Sequence, residues 1–222
     1  MRDDTKRVLF IFIFLYTICL VLALKVKDVE AIGPKNTEVG LAFLNEWFRN
    51  LFHYGEEGYF KFWYVFTQIL GYVSYAVCAF WSVLYWREVI KTKGWNGVGV
   101  DKNLMATWWL YLLTMIICLV FSRVAINYRP LVMPDKTKLA VSFPSIHVIL
   151  FIIAWGSTIF HVADIFSERK KLVIVLHSIC TFFMVLGIIG RMISGVSWFT
   201  DILGGIGFGL TLLLIYSFFF DI

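Results

Sequence analysis

Charge is what this sequence has least of. Only 16% of its residues are Asp, Glu, Lys or Arg, where a soluble domain carries about a quarter. The 222 residues are 60% hydrophobic and include 22 Phe and 9 Trp. That much apolar surface does not fit one water-soluble core, which leaves an integral membrane protein. Basic runs are missing as well. The net charge is +5, but Lys and Arg are scattered among apolar runs, which argues against nucleic acid as a partner. Cysteine is sparse: Cys19, Cys78, Cys118 and Cys180 each stand alone inside an apolar run. Without metal-ligand spacing they argue against a zinc site and read as buried free thiols. No internal repeat or low-complexity segment breaks the chain, so residues 1–222 are taken as a single membrane-embedded domain.

What the sequence has is apolar length. Six stretches are long enough to cross a bilayer, which takes roughly 20 residues: Val8–Leu24, Phe60–Tyr85, Leu104–Val124, His147–Ala163, Leu172–Ile193 and Ile202–Phe220. The expected fold is therefore an all-α, six-transmembrane-helix bundle. The first stretch follows a basic start, as a signal peptide would. The sequence after it, LKVKDVEA, lacks a clean small-x-small cleavage site, so it is read as an uncleaved span. In the first loop, Leu41, Leu44, Trp47, Phe48, Leu51 and Phe52 recur at helical spacing, with Asn45, Glu46, Arg49 and Asn50 between them. This pattern fits a short amphipathic helix lying in the membrane interface, or an ordinary packed loop helix. The N-terminus and two short basic loops, Trp86–Gly94 and Ser167–Lys171, fall on one side of a six-span chain. The positive-inside rule makes that side, with both termini, cytoplasmic.

This topology gathers three polar segments at the outer face of a multi-pass cell-membrane protein. Asn127-Tyr128-Arg129-Pro130 follows the third span, Ser142–His147 (SFPSIH) opens the fourth, and Arg191 to Asp201 joins the fifth to the sixth. In SFPSIH, Pro144 suits a first helical turn and Ser142 a cap. The segment reads either as a plain helix start or as an anion site, with first-turn N–H groups, the Ser145 hydroxyl and the His147 imidazole around the anion. Arg129, ahead of Pro130, is expected to be extended. It and Arg191 read as phosphate clamps or as arginines snorkelling to headgroups. Arg123 and Lys138 are nearby helpers. Ser197 and Asp201, four apart, would share a helical face. Asp201 is then a cap at the start of the last span, or a carboxylate that orients the residue four positions back. Gly205 and Gly209 form a GxxxG pattern, read as packing within the bundle rather than as an oligomer contact.

These three segments, in this order, resemble the type 2 phosphatidic acid phosphatase family of membrane lipid phosphatases. The family's motifs are a Lys with Arg-Pro seven and eight residues on, then Pro-Ser-Gly-His, then Ser-Arg followed by His and Asp. The first is matched by Arg129-Pro130, with Ser122 at the lysine position. The second is matched by Pro144-Ser145-Ile146-His147, with Ile146 where glycine is usual. The third is matched by Gly190-Arg191 and Asp201, and its histidine falls on Ser197. The stretches AIGP…VGLAFLN and GVSWFTDILGG are similar to the bacterial, Firmicutes-type branch. The resemblance implies a helical bundle with an outward-facing pocket that hydrolyses a lipid phosphate, haloperoxidase-like in its motifs, with no metal or cofactor. It implies that His147 is the general acid, Asp201 the orienter of a histidine nucleophile, and Arg129, Ser145 and Arg191 the phosphate holders.

Ser197 stands where that nucleophile would be. Serine is a poor nucleophile until a base takes its proton, and an ordinary carboxylate is a weak base for an alcohol. Three readings follow: a working lipid phosphatase (phosphatidic acid, phosphatidylglycerophosphate or isoprenyl diphosphate), a silent relative that binds lipid phosphate, or an inactivated form of a normal enzyme. Of the other histidines, His161 and His177 lie at the inner ends of their spans. That leaves His53 in the outer loop as the one substitute.

Overall fold

The computed structural model describes residues 3–54, 57–93, 99–132 and 138–220. Met1, Arg2 and Gly94 of the basic segments fall outside the described residues. Six helices are long and apolar enough to cross a membrane. They are α1 (Asp3–Val26), α3 (Lys61–Thr92), α4 (Lys102–Arg123), α5 (Ile146–Ile165), α6 (Lys170–Ile193) and α7 (Phe199–Phe219). The short helix α2 (Ala42–Asn50) lies between α1 and α3. It follows a hairpin of two short antiparallel strands, β1 (Glu30–Gly33) and β2 (Thr37–Val39), which the all-helical expectation did not contain.

α5 is the centre. Every residue from Val148 to Ser157 is buried, and the helix packs against α3, α4, α6 and α7, while α1 leans on α7. Side chains that are apolar all round fit that position. Close approach of α7 to its neighbours depends on its glycines. A Cβ at Gly205 would lie 2.9 Å from the Ser145 carbonyl oxygen and from Val148, and one at Gly209 would lie 2.9 Å from Ile152. The GxxxG pair therefore packs on α5 of the same chain. The cysteines are all free, but only Cys180 is buried, and Cys19 is exposed on α1. A thiol on a lipid-facing surface needs no burial to stay out of water.

The chain enters and leaves this bundle so that the C-terminal ends of α4 and α6 and the N-terminal ends of α3, α5 and α7 share one end. The first loop folds over that end, and α2 docks in an unexpected sense. Two of its polar residues, Asn45 and Arg49, face the protein, while Glu46 and Asn50 are exposed. Asn45 is buried, donates from Nδ2 to Thr200 Oγ1 (3.0 Å) and to the Gly40 carbonyl (3.0 Å), and accepts the Thr200 N–H at Oδ1 (3.1 Å). Arg49 donates to the carbonyls of Gly195 (3.0 Å) and Gly58 (2.8 Å). The physical reason is the start of α7, whose first-turn N–H groups lack intrahelical partners; Asn45 supplies one. Phe43, Trp47 and Leu51 are left exposed on the outward side, as in a helix lying in a membrane interface.

Candidate functional site

Three polar segments meet at this end, each held by bonds from its neighbours. Residues 127–129 run extended beside 140–142. Arg129 N–H donates to the Ala140 carbonyl (3.0 Å), Ser142 N–H to the Asn127 carbonyl (2.9 Å), and Tyr128 bridges Val141. Trp198 Nε1 donates to the Tyr128 carbonyl (2.7 Å), and Ser145 N–H to the Asp201 carbonyl (2.9 Å). These bonds tie the loop before α5 to the loop before α7.

Asp201 is the internal brace. Its carboxylate is fully buried and accepts from Asn127 Nδ2 (3.1 Å), the Ser142 hydroxyl and the Trp198 N–H (3.0 Å). The last of these is a helix-capping bond. Ser142 is therefore not the cap of α5, because the buried carboxylate takes its hydroxyl. The N-cap is Ser145, one residue after Pro144, and its side chain makes no capping bond. Ser197 does not share a helical face with Asp201 either. It lies in the turn between α6 and α7, where Gly195 takes φ +77 and the Tyr54 ring occupies the space of a Cβ. Among the described residues, no hydrogen bond joins Ser197 to Asp201.

The segments enclose a cavity of about 460 Å³ lined by Arg129, Ser145, His147, Arg191, Ser197 and Ser122, with Tyr75, Phe121 and Phe143 among its apolar walls. Five of the residues singled out from the sequence are thus brought together. Asp201 stands behind them, while Arg123 and Lys138 are exposed and outside the lining. His53 is exposed and outside it too. His161 bonds to Thr107 and stacks on Trp81 at the opposite end, and His177 bonds the Ile159 carbonyl (2.9 Å).

The charge in the cavity is unbalanced. Arg191 is 1% exposed, and its Nε and Nη1 have no hydrogen-bond partner among the described residues. Burial pulls the Arg129 guanidinium below its usual range, with Tyr64 and Asp201 acting the other way; it stays a cation at neutral pH. The two guanidiniums repel each other, and the nearest carboxylate is already taken by neutral donors. Buried donors without acceptors are costly, so an anion with several oxygens fits here.

The family model of the PAP2 superfamily matches residues 126–221. Over that segment the chain is similar to the PAP2 superfamily. The PAP2 segment carries Arg129, Ser145, His147, Arg191, Ser197 and Asp201. A solved structure shares the fold along nearly its whole length, with a TM-score of 0.61 and 18% identity over 95% of this chain and 94% of that one. It is the crystal structure of a transmembrane PAP2-type phosphatidylglycerolphosphate phosphatase from Bacillus subtilis. A comparison with curated proteins gives no match. Outside the PAP2 segment, Asn45, Arg49 and Gln68 reach the site or its loops, and the motifs did not reveal them. Gln68 carried one signal, a polar side chain within an apolar span.

Proposed function

We propose that the cavity binds the phosphate of a membrane lipid and hydrolyses it to inorganic phosphate at the outer face. The observation that carries this reading is the buried Arg191 guanidinium, with two donor nitrogens unpartnered in a cavity shared with Arg129, Ser145 and His147. A phosphate group supplies enough oxygens for both guanidiniums and the Ser145 hydroxyl, and its charge offsets theirs. His147 then protonates the leaving oxygen. Asp201 holds the α7 start and the Ser142 loop in register. The fold shared with a phosphatidylglycerolphosphate phosphatase supports a phosphate monoester as substrate; phosphatidic acid and isoprenyl diphosphates fit the same chemistry.

With Ser197 at the mouth of α7, the attacking group is water, and positioning with electrostatics alone gives a rate of roughly 10³-fold over the uncatalysed reaction. Ser197 also favours a second reading, in which the chain holds lipid phosphate without turnover. Inorganic phosphate released by the purified protein from phosphatidic acid, phosphatidylglycerophosphate and an isoprenyl diphosphate distinguishes the two. Slow release above the no-protein control, lost in His147→Ala, is expected. Binding without release supports the silent form. Neither binding nor release rejects both.

A further inference from the structure

The imidazole of His147 is gripped from a helix outside the PAP2 segment. α3 presents Gln68 and, one turn on, Gly71. Gln68 Nε2 donates to Tyr64 Oη at 3.1 Å. The amide oxygen Oε1 faces the ring, and in this orientation His147 Nε2–H donates to it. Gly71 clears the space beside this bond: a Cβ there would lie 3.2 Å from His147 Cδ2 and 3.5 Å from Nε2. The Phe151 ring, edge-on at 6.3 Å, closes the slot along α5. A bond, a missing side chain and an aromatic neighbour fix the ring from separate positions.

The surroundings explain why an amide suits this place. Arg129 from the loop and Arg191 from α6 act on the ring electrostatically. Tyr64 on α3 and Asp201 on α7 act on those arginines. A charged imidazole among cations gains from an acceptor at one nitrogen. A carboxylate acceptor would also repel an incoming phosphate, whereas an amide does not.

We propose that Gln68, braced by Tyr64, is a positioning residue that keeps His147 Nε2 protonated and leaves Nδ1 as the nitrogen that gives up its proton. Its catalytic consequence rests on the phosphatase reading; the hydrogen bond itself does not. In the step it serves, the oxygen of water (the introduced imidazole nitrogen in Ser197→His) forms a bond to phosphorus, any protons of the water staying on the phosphate product. The bond between phosphorus and the leaving oxygen breaks meanwhile, and its electron pair goes to that oxygen. The Nδ1 proton moves there, the N–H electron pair returns to the ring, and neutral imidazole remains with Nε2–H on Gln68.

Leaving groups test it. A lipid phosphate expels an alkoxide that needs the proton, while 4-nitrophenyl phosphate expels a stable phenolate that does not. In a Ser197→His background, Gln68→Leu is expected to slow release from dioctanoyl phosphatidic acid at least about tenfold, and from 4-nitrophenyl phosphate by less than about threefold. Equal losses on both substrates overturn the proposal. If Gln68→Leu does not fold, Gly71→Ala displaces the ring with Gln68 in place, and the same selective loss is expected. A second readout needs no turnover. The chain has four histidines, and 15N spectra of histidine-labelled protein should show neutral His147 protonated at Nε2, with that preference lost in Gln68→Leu. Identical spectra overturn the proposal whatever the assay gives. No phosphate release from either substrate, in the native and Ser197→His chains alike, overturns the phosphatase reading instead, and the spectra still decide the role of Gln68.

Discussion

Ser197→His is expected to release phosphate from a lipid phosphate at least about tenfold faster than the native chain, because it adds the nucleophile that the proposed phosphatase pocket lacks. Position 197 already lines the cavity with Arg129, Ser145, His147 and Arg191, so the new imidazole starts beside the bound phosphorus. Asp201 keeps unused acceptor capacity. A carboxylate accepts about four hydrogen bonds, and Asn127, Ser142 and the Trp198 N–H use three. The remaining lone pair can orient a ring nitrogen as in a carboxylate–imidazole pair. Loss of a covalent nucleophile costs several orders of magnitude, of which positioning alone recovers about 10³-fold over water. A tenfold gain therefore requires only partial alignment of the new ring. Steady-state phosphate release checks the rate, and an acid-labile phosphoenzyme trapped during turnover checks the route. Equal rates would mean that residue 197 is not a nucleophile seat.

Arg191→Met gives the second large effect, and its two parts have opposite signs. Without ligand, the variant melts no lower than the native protein. A buried guanidinium with two unpartnered nitrogens is replaced by a shorter, apolar chain, which relieves desolvation and repulsion from Arg129. With orthovanadate, the native protein is stabilised by about 2.7 kcal/mol at a hundred times the Kd. The variant loses a buried charged contact worth about 2–5 kcal/mol, so its shift at the same concentration disappears. Thermal melting with and without vanadate measures both. A variant that melts far lower without ligand would make Arg191 a structural brace. A full vanadate shift in the variant would place the anion elsewhere.

The spans were readable because bilayer thickness sets their length and a long apolar run has no other use. The observed helices agree to within about three residues except at two ends. α1 begins at Asp3, ahead of the expected Val8. α3 runs to Thr92, past the expected Tyr85, because hydropathy stops at Trp86-Arg87-Glu88 while helical hydrogen bonding does not. That Arg191 and His147 would come together in one cavity was readable for a related reason: both are expensive in an apolar chain, and their cost marks them. What sequence spacing misjudged was local geometry. The interval from Ser197 to Asp201 fits a helical face, but the chain turns at Gly195 and α7 begins only at Phe199. Ser142 looks like a cap until Asp201 takes its hydroxyl. Asn45 and Arg49 looked like a solvated face because periodicity separates apolar from polar without saying which side meets protein. Their partners, Thr200 and Gly195, lie about 150 residues away along the chain, a distance no local pattern spans.

The central claim is that one phosphate sits between Arg129 and Arg191 with Ser145 and His147 around it. Locating tungstate by anomalous scattering in crystals of the native protein tests this directly. The expected result is a single tetrahedral anion in the cavity, within hydrogen-bond distance of Arg191 Nε and Nη1. A cavity empty at saturating tungstate, or an anion bound only at a surface away from Arg191, would contradict the account.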